Sequence, residues 1–293
     1  MSRRAFSFAL GALLATTVAA QPARAQSCGQ RAKLGGGPQL QIVGLTGDGR
    51  LVRFGECNPR RPMRELGFVT GLVAPDTRLV GIDFRVQTGA LYGVGDAGGV
   101  YVFVDPRSPA ALKISQLTIP LDPAATAFGV DFNPAADRLR IVSDTGQDLR
   151  HNVNEGGTTI ADGTLNYLVG TPPAPQTALG VTGAAYTNND LDPSTATTLL
   201  DVDGTMDQVA IQSPPNAGTL FATGKLGVDA GEPIGFDVYS TLQGGVAVRN
   251  AGFASLSVGG VRGFYRVDLL SGRAVLIGAL GDDVVDIAIP LDQ

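Results

Sequence analysis

One four-residue pattern returns along the chain at nearly constant spacing. Gly81-Ile82-Asp83-Phe84, Gly129-Val130-Asp131-Phe132, Gly183-Ala184-Ala185-Tyr186 and Gly235-Phe236-Asp237-Val238 align as glycine, any residue, aspartate or alanine, then an apolar residue. Asp286-Ile287-Ala288-Ile289 is a degenerate fifth copy. The third positions of successive copies lie 48, 54, 52 and 51 residues apart. A period of this size, with several short strands per unit, predicts propeller blades and not a solenoid of helices. Between the copies, apolar residues alternate with period two and turn residues break the alternation, which is the pattern of an all-β chain. The 40 glycines recur at these breaks, so they read as tight turns and not as disorder.

The clearest unit spans 128–156, with strands predicted at 129–132, 138–143 and 147–153 and a more irregular end at 158–169. The unit before it offers strands at 90–95, 99–105 and 111–119, and the unit after it at 197–202, 208–212 and 219–224. The last full unit reads 245–249, a longer connection, then 263–268 and 274–278. The two ends complete each other. Residues 39–45, 50–55 and 63–68 match strands two to four of a unit with no first strand, and 284–289 is a first strand with nothing after it. Joined, they make a fifth blade and close the ring, which removes open strand edges. The expected fold is therefore all-β, a propeller of five four-stranded blades closed by pairing of the N- and C-terminal strands. The recurrent strand should lie innermost, where crowding favours glycine and a small third residue. On this reading Phe132→Ala costs about 3–5 kcal/mol, far more than Phe253→Ala in the long connection of the fifth unit.

The first residues read as a targeting segment. Arg3 and Arg4 precede an apolar run from Ala5 to Ala20, and Ala23-Arg24-Ala25 offers a cleavage site. The run is shorter than a membrane span, and Ser2-Arg3-Arg4-Ala5-Phe6 also allows a twin-arginine route. The expected organisation is a signal peptide at 1–25, an N-terminal arm at 26–39 and one propeller domain at 40–293, in a periplasmic or secreted protein. Loss of three arginines with the signal takes the formal charge from −5 to −8. That balance, with no basic stripe, argues against nucleic acid or an anionic membrane as partner. Arg60, Arg61 and Arg64 read as a solvated loop around two prolines. In an exported chain the two cysteines, Cys28 and Cys57, are expected to form a disulfide that pins the arm to the first repeat.

Chemistry is much less legible. His151 is the only histidine, which excludes a multi-histidine metal site and leaves one imidazole with no nucleophile at a recognisable spacing. It reads as an ordinary strand residue. Asp83, Asp131 and Asp237 occupy equivalent innermost positions and could converge on the channel, where oxygen ligands would suit calcium. The alternative is that each caps backbone amides at the start of its own blade. Alanine at the other copies favours that structural role. Asp201-Val202-Asp203-Gly204 with Asp207 looks like the opening of a calcium loop but lacks the later ligands, so it reads as a hairpin turn. Asn188, Asn189 and Asp190 form a polar loop after the fourth first-strand and are the candidate rim site.

GVDFNPAADRLRIVSDTGQDLR (129–150), GAAYTNN (183–189), QSPPNAGTL (212–220) and the flanking LYGVGD and FYRVDLLSG together resemble the exported bacterial family known as the domain of unknown function 4394. The likeness spans roughly Leu40 to Ile289. It implies a secreted or periplasmic repeat β protein, and it implies no activity, cofactor or catalytic residue. His151 stands where members tend to have a small apolar residue, which weakens it as a catalytic group. The reading that results is a monomeric, non-catalytic exported propeller that binds a small molecule, glycan or protein through a rim or channel mouth, with no cofactor. Two other readings stand beside it: a calcium-dependent hydrolase of the lactonase-like propeller type, and a structural envelope or matrix protein.

Overall fold

The computed structural model describes residues 39–61, 64–105 and 107–291. The expected signal peptide, most of the arm and Cys28 lie outside the described residues.

Strands follow wherever the period-two pattern runs between turn residues. The first blade takes β1 (Gln41–Thr46), β2 (Arg50–Gly55) and β3 (Arg64–Phe68). The second is β4 (Leu79–Arg85), β5 (Ala90–Gly95), β6 (Gly99–Phe103) and β7 (Leu112–Gln116). The third is β8 (Phe128–Asn133), β9 (Arg138–Ser143), β10 (Asp148–His151) and β11 (Thr159–Ala161). A hairpin of β12 (Asn166–Val169) and β13 (Ala174–Thr177) comes next. The fourth blade is β14 (Val181–Tyr186), β15 (Leu199–Asp203), β16 (Gln208–Gln212) and β17 (Thr219–Lys225). The fifth is β18 (Gly231–Gln243), β19 (Val246–Val258), β20 (Val261–Val267) and β21 (Ala274–Ala279). The chain ends with β22 (Val284–Ala288).

Five sheets result, each built on an antiparallel run of four neighbouring strands, and β22 lies antiparallel to β1 with Val43 opposite Ala288 and Leu45 opposite Asp286. The protein is a five-bladed propeller closed by its two terminal strands. The innermost strands touch in the order β22, β4, β8, β14, β18 and back to β22. Alternate side chains of every blade face its two neighbours, so the core divides into five apolar clusters, one in each seam. Phe132 and Tyr92 meet edge to face in the seam between blades two and three, with ring centroids 5.1 Å apart. Among the described residues no helix is long and apolar enough to cross a membrane.

Two details depart from the sequence reading. The irregular tail of the third unit divides: β11 stays with its blade and the rest does not. After β11 the chain crosses over, and β12 lies parallel to β17, so the hairpin widens blade four to six strands. Close backbone contact fixes the crossing: a Cβ on Gly163 would stand 2.4 Å from the Ala217 carbonyl oxygen, and Asn166 N–H donates to Gly218 O. The fifth blade differs more. Its long connection is strand, because β18 and β19 each run for 13 residues and turn through Gly244 and Gly245, both at positive φ. Phe253 is fully buried there and stacks on Phe264 at 5.4 Å between ring centroids. The expectation that Phe253 would tolerate truncation better than Phe132 is therefore wrong. Small residues around it (Ala251, Gly252, Ala254, Ser255) dilute the apolar alternation that marks a strand.

Candidate functional site

The repeated glycine exists because neighbouring first strands nearly touch. A Cβ added to Gly81 would meet Val130 Cγ2 at 2.4 Å, and one added to Gly235 would meet the Asp286 Cα at 2.6 Å. Two residues on, the third position faces the same way, so an aspartate there reaches the next blade. Asp83 Oδ2 accepts the Phe132 amide at 2.8 Å, Asp131 Oδ1 accepts the Tyr186 amide at 3.0 Å, and Asp237 Oδ2 accepts the Ile289 amide at 2.6 Å. Each of these amides belongs to the fourth position of the following copy.

The two alanine copies explain the remaining bonds. Ala185 offers nothing to Val238, whose amide is taken at 2.5 Å by Oδ1 of its own neighbour, Asp237. Ala288 offers nothing to Phe84, and Asp83 takes that amide as well. Three aspartates thus satisfy all five fourth-position amides of the ring. Asp286, at a first position, adds bonds to Ile82 N at 2.8 Å and to Ile287 N at 2.9 Å. The sequence reading of amide caps within each blade needs correction, since most of these bonds cross a seam and latch one blade to the next.

Asp83, Asp131 and Asp237 converge, with one oxygen of each within 4.8 Å of the others. All three and Asp286 are buried. Burial, reinforced by neighbouring carboxylates, pushes Asp83, Asp131 and Asp286 well above the ordinary range, and burial pushes Asp237 up to about 7 against the bonds from Ile289 and Val238. The amides favour the charged form of each group, while burial and crowding oppose it. Chemically the axis can hold shared protons, or a hard cation with carboxylate ligands.

A family model, Domain of unknown function (DUF4394), matches residues 50–288. The chain belongs to this family. The DUF4394 match covers every innermost strand from β4 to β22. No curated protein matches the chain. Among solved structures, an auxiliary nutrient binding protein from Bacteroides ovatus ATCC 8483 aligns at 14% identity and TM-score 0.39 over 79% of this chain and 57% of its own. A protein from Lactobacillus plantarum aligns at 14% identity and TM-score 0.36 over 86% of this chain and 99% of its own. These are distant likenesses of shape, and the DUF4394 chain spans just over half the length of the Bacteroides protein.

The rim loop after β14 is fastened to blade five. Asn188 N–H donates to Asn250 Oδ1 at 3.0 Å and Asn250 Nδ2 donates to Asn188 Oδ1 at 2.7 Å. Asn189 Nδ2 donates to Val238 O at 2.9 Å, and Asp190 Oδ2 accepts the Ala247 amide at 2.8 Å. Asn188 holds a φ of 60° in this arrangement. Asn188 also lines a cleft of about 510 Å³ between blades four and five, with Asn250, Leu200, Ile211, Arg266 and Leu270 around it.

His151 is fully buried in the seam between blades two and three. Its Nε2 lies 2.8 Å from Ser115 Oγ and its Nδ1 lies 3.0 Å from Thr159 Oγ1. Burial lowers its pKa. Sequence spacing could not reveal Ser115, which comes from another blade. The ring is oriented by a threonine that also accepts the Thr118 amide at 2.9 Å, so this is a polar zipper along the seam and not a serine–histidine–carboxylate triad.

Another cluster went unread in the sequence. In the seam between blades three and four, the buried Arg140 donates to Asp148, to Asp162 at 2.6 Å, to Tyr186 Oη at 3.2 Å and to Asn216 Oδ1 at 3.3 Å. Arg150 donates to the same Asp162 at 2.5 Å. No repeat signals this group, because its members belong to a single seam. The stretch resembling a calcium loop is a hairpin: Asp203 pairs with Gln208, and Asp203 Oδ1 accepts the Met206 amide at 2.7 Å.

Proposed function

We propose that this DUF4394 protein is an exported, non-catalytic binding module that takes a small ligand in the cleft between blades four and five. The cleft carries the reading. Its volume of about 510 Å³ suits a small molecule. Apolar walls from Leu200, Ile211 and Leu270 face polar groups from Asn188 and Asn250. Those asparagines are bonded to each other across the seam, so the mouth is preorganised and binding orders little. The fitting class is a ligand with an apolar body and one hydrogen-bonding end.

Arg266 contributes to the wall, but its guanidinium lies over the Phe253 ring, 4.8 Å from the centroid, on the face of blade five turned toward blade one. The test is a thermal-shift screen of small amphipathic acids and sugars on the full chain, repeated with Leu270→Arg. Hits lost in the variant support the reading; a screen whose hits are indifferent to Leu270→Arg, or one with no hits, removes it. Export through the Arg3-Arg4 signal and a Cys28–Cys57 disulfide belong to the same proposal. Mass analysis of the secreted chain checks both, by the loss of residues 1–25 and by the absence of free thiol.

A second reading draws on the axis, where three carboxylates within 4.8 Å of one another would suit a calcium-dependent hydrolase. Asp83, Asp131 and Asp237 would hold the ion. Each already serves a backbone amide, which favours a structural role. Elemental analysis of the purified protein separates the two: a stoichiometric divalent ion lost on Asp131→Asn would favour the hydrolase.

A further inference from the structure

Every axial aspartate accepts at least one backbone amide, yet elsewhere one carboxylate accepts nothing. Asp201, on β15, is wholly buried, and neither of its oxygens has a hydrogen-bond partner. Its side chain shares the face of Leu199, which packs in the seam between blades three and four. A second orphan lies beside it. Gln212 stands opposite Leu199 and Asp201 stands opposite Ala210, so Gln212 and Asp201 are diagonal neighbours on one face.

The orientation of the Gln212 amide is fixed by its partners. Its Nε2 donates to Asp148 Oδ2 at 2.6 Å and to the Pro215 carbonyl, both of them acceptors. Its Oε1 therefore has no donor and is buried. Three acceptor atoms in one packed seam lack any donor. A buried acceptor without a partner is costly, and among the described residues no side chain donates to these three atoms. Arg140 is already committed to Asp148, Asp162, Tyr186 and Asn216, and Arg150 to Asp162. The charge balance agrees, because the buried carboxylates of Asp148, Asp162, Asp201 and Asp203 outnumber Arg140 and Arg150 by two.

The geometry points to a buried site for a small hard cation between blades three and four, with both oxygens of Asp201 and Oε1 of Gln212 as its ligands. Oxygen donors of carboxylate and amide type are those that sodium or calcium takes. The site is separate from the rim cleft and from the axis. Its role is to brace the seam where the chain crosses from blade three to blade four. Asp148, which faces Asp201, ties this site to the Arg140 cluster.

The experiment is thermal unfolding of the full chain after treatment with chelator, in sodium, calcium or choline chloride at matched ionic strength and pH 7.5. Wild type, Asp201→Asn and Asp131→Asn are compared. The expected result is a rise in Tm of about 3 °C or more with sodium or calcium over choline, abolished in Asp201→Asn and kept in Asp131→Asn. A wild-type Tm that is the same in all three salts overturns the proposal and leaves a proton as the group that neutralises Asp201. A shift kept in Asp201→Asn and lost in Asp131→Asn also overturns it and moves the cation to the axis. Where Asp201→Asn fails to fold, Gln212→Leu replaces it as the variant that should abolish the shift.

Discussion

The axis and the seam between blades three and four both bury several aspartates, and apart from the unpartnered Asp201 they satisfy them in opposite ways. On the axis the donors are backbone amides from the next blade, and none of the four carboxylates meets a lysine or arginine in the contacts that shift it. In the seam the donor is a guanidinium, with Arg140 shared between Asp148 and Asp162. Amide donors come with the architecture. Once first strands of near-equal wedges pack side by side, each presents an N–H at the same place, and one repeated aspartate can serve it. A buried arginine comes with no repeat and has to be placed once. The axis is therefore periodic and tolerant of alanine at two copies, whereas the seam depends on individual side chains.

The sharpest break in this contrast is Arg140→Met. It should leave Asp148 and Asp162 buried without their main cation, at a cost of about 3–5 kcal/mol in urea unfolding. A loss under 1 kcal/mol would mean that the seam does not depend on its guanidinium. Phe132→Ala and Phe253→Ala should each cost about 3–5 kcal/mol and lie close together, because both rings are fully buried between blades. A much milder Phe253→Ala would restore the long-connection reading of blade five.

Aspartate truncations on the axis should follow the number of amides served. An unpaired buried amide costs about 1–3 kcal/mol, so Asp83→Ala, which strips two, should destabilise more than Asp131→Ala, which strips one. Equal losses at pH 5 would argue against the latch assignment.

Titration distinguishes the two regions further. Axial pKa values lie above the unfolded value of 3.8, with Asp237 at about 7, so the folded state holds protons that the unfolded state has released. That contribution is complete below about pH 4 and is lost as pH rises through 7. The urea midpoint should fall from pH 5 to pH 8, and Asp237→Asn should flatten the fall; an unchanged slope in the variant would count against the axis as its source. Asp148, raised by burial to about 6 despite Arg140, adds to the same trend from the seam. The smallest effect is expected from Ser115→Ala, which removes one bond to His151 and should cost about 0.5–1.5 kcal/mol.

The axial latch was half legible in sequence. Gly81, Asp83 and their copies announced a crowded first strand with a small or acidic third residue, and amide capping was a stated option. What spacing could not say is that the amides belong to the next blade, since the copies lie about 50 residues apart and their contact depends on wedge angle. Ser115 with His151 was illegible for the same reason, whereas Arg140 meets Asp162 within blade three, through the register of strands that flank β10. Asn188 was found as a loop residue, but the cleft it lines needs Asn250 and Arg266 from blade five.

The chain's own letters determined the period, the strand content and the pairing of its ends, because alternation and turn residues act locally and repeat. Tertiary structure alone decided which buried charges meet, where the cleft opens, and that the 166–177 hairpin joins blade four. Those outcomes depend on how one wedge is set against the next, and that angle is written in no single unit.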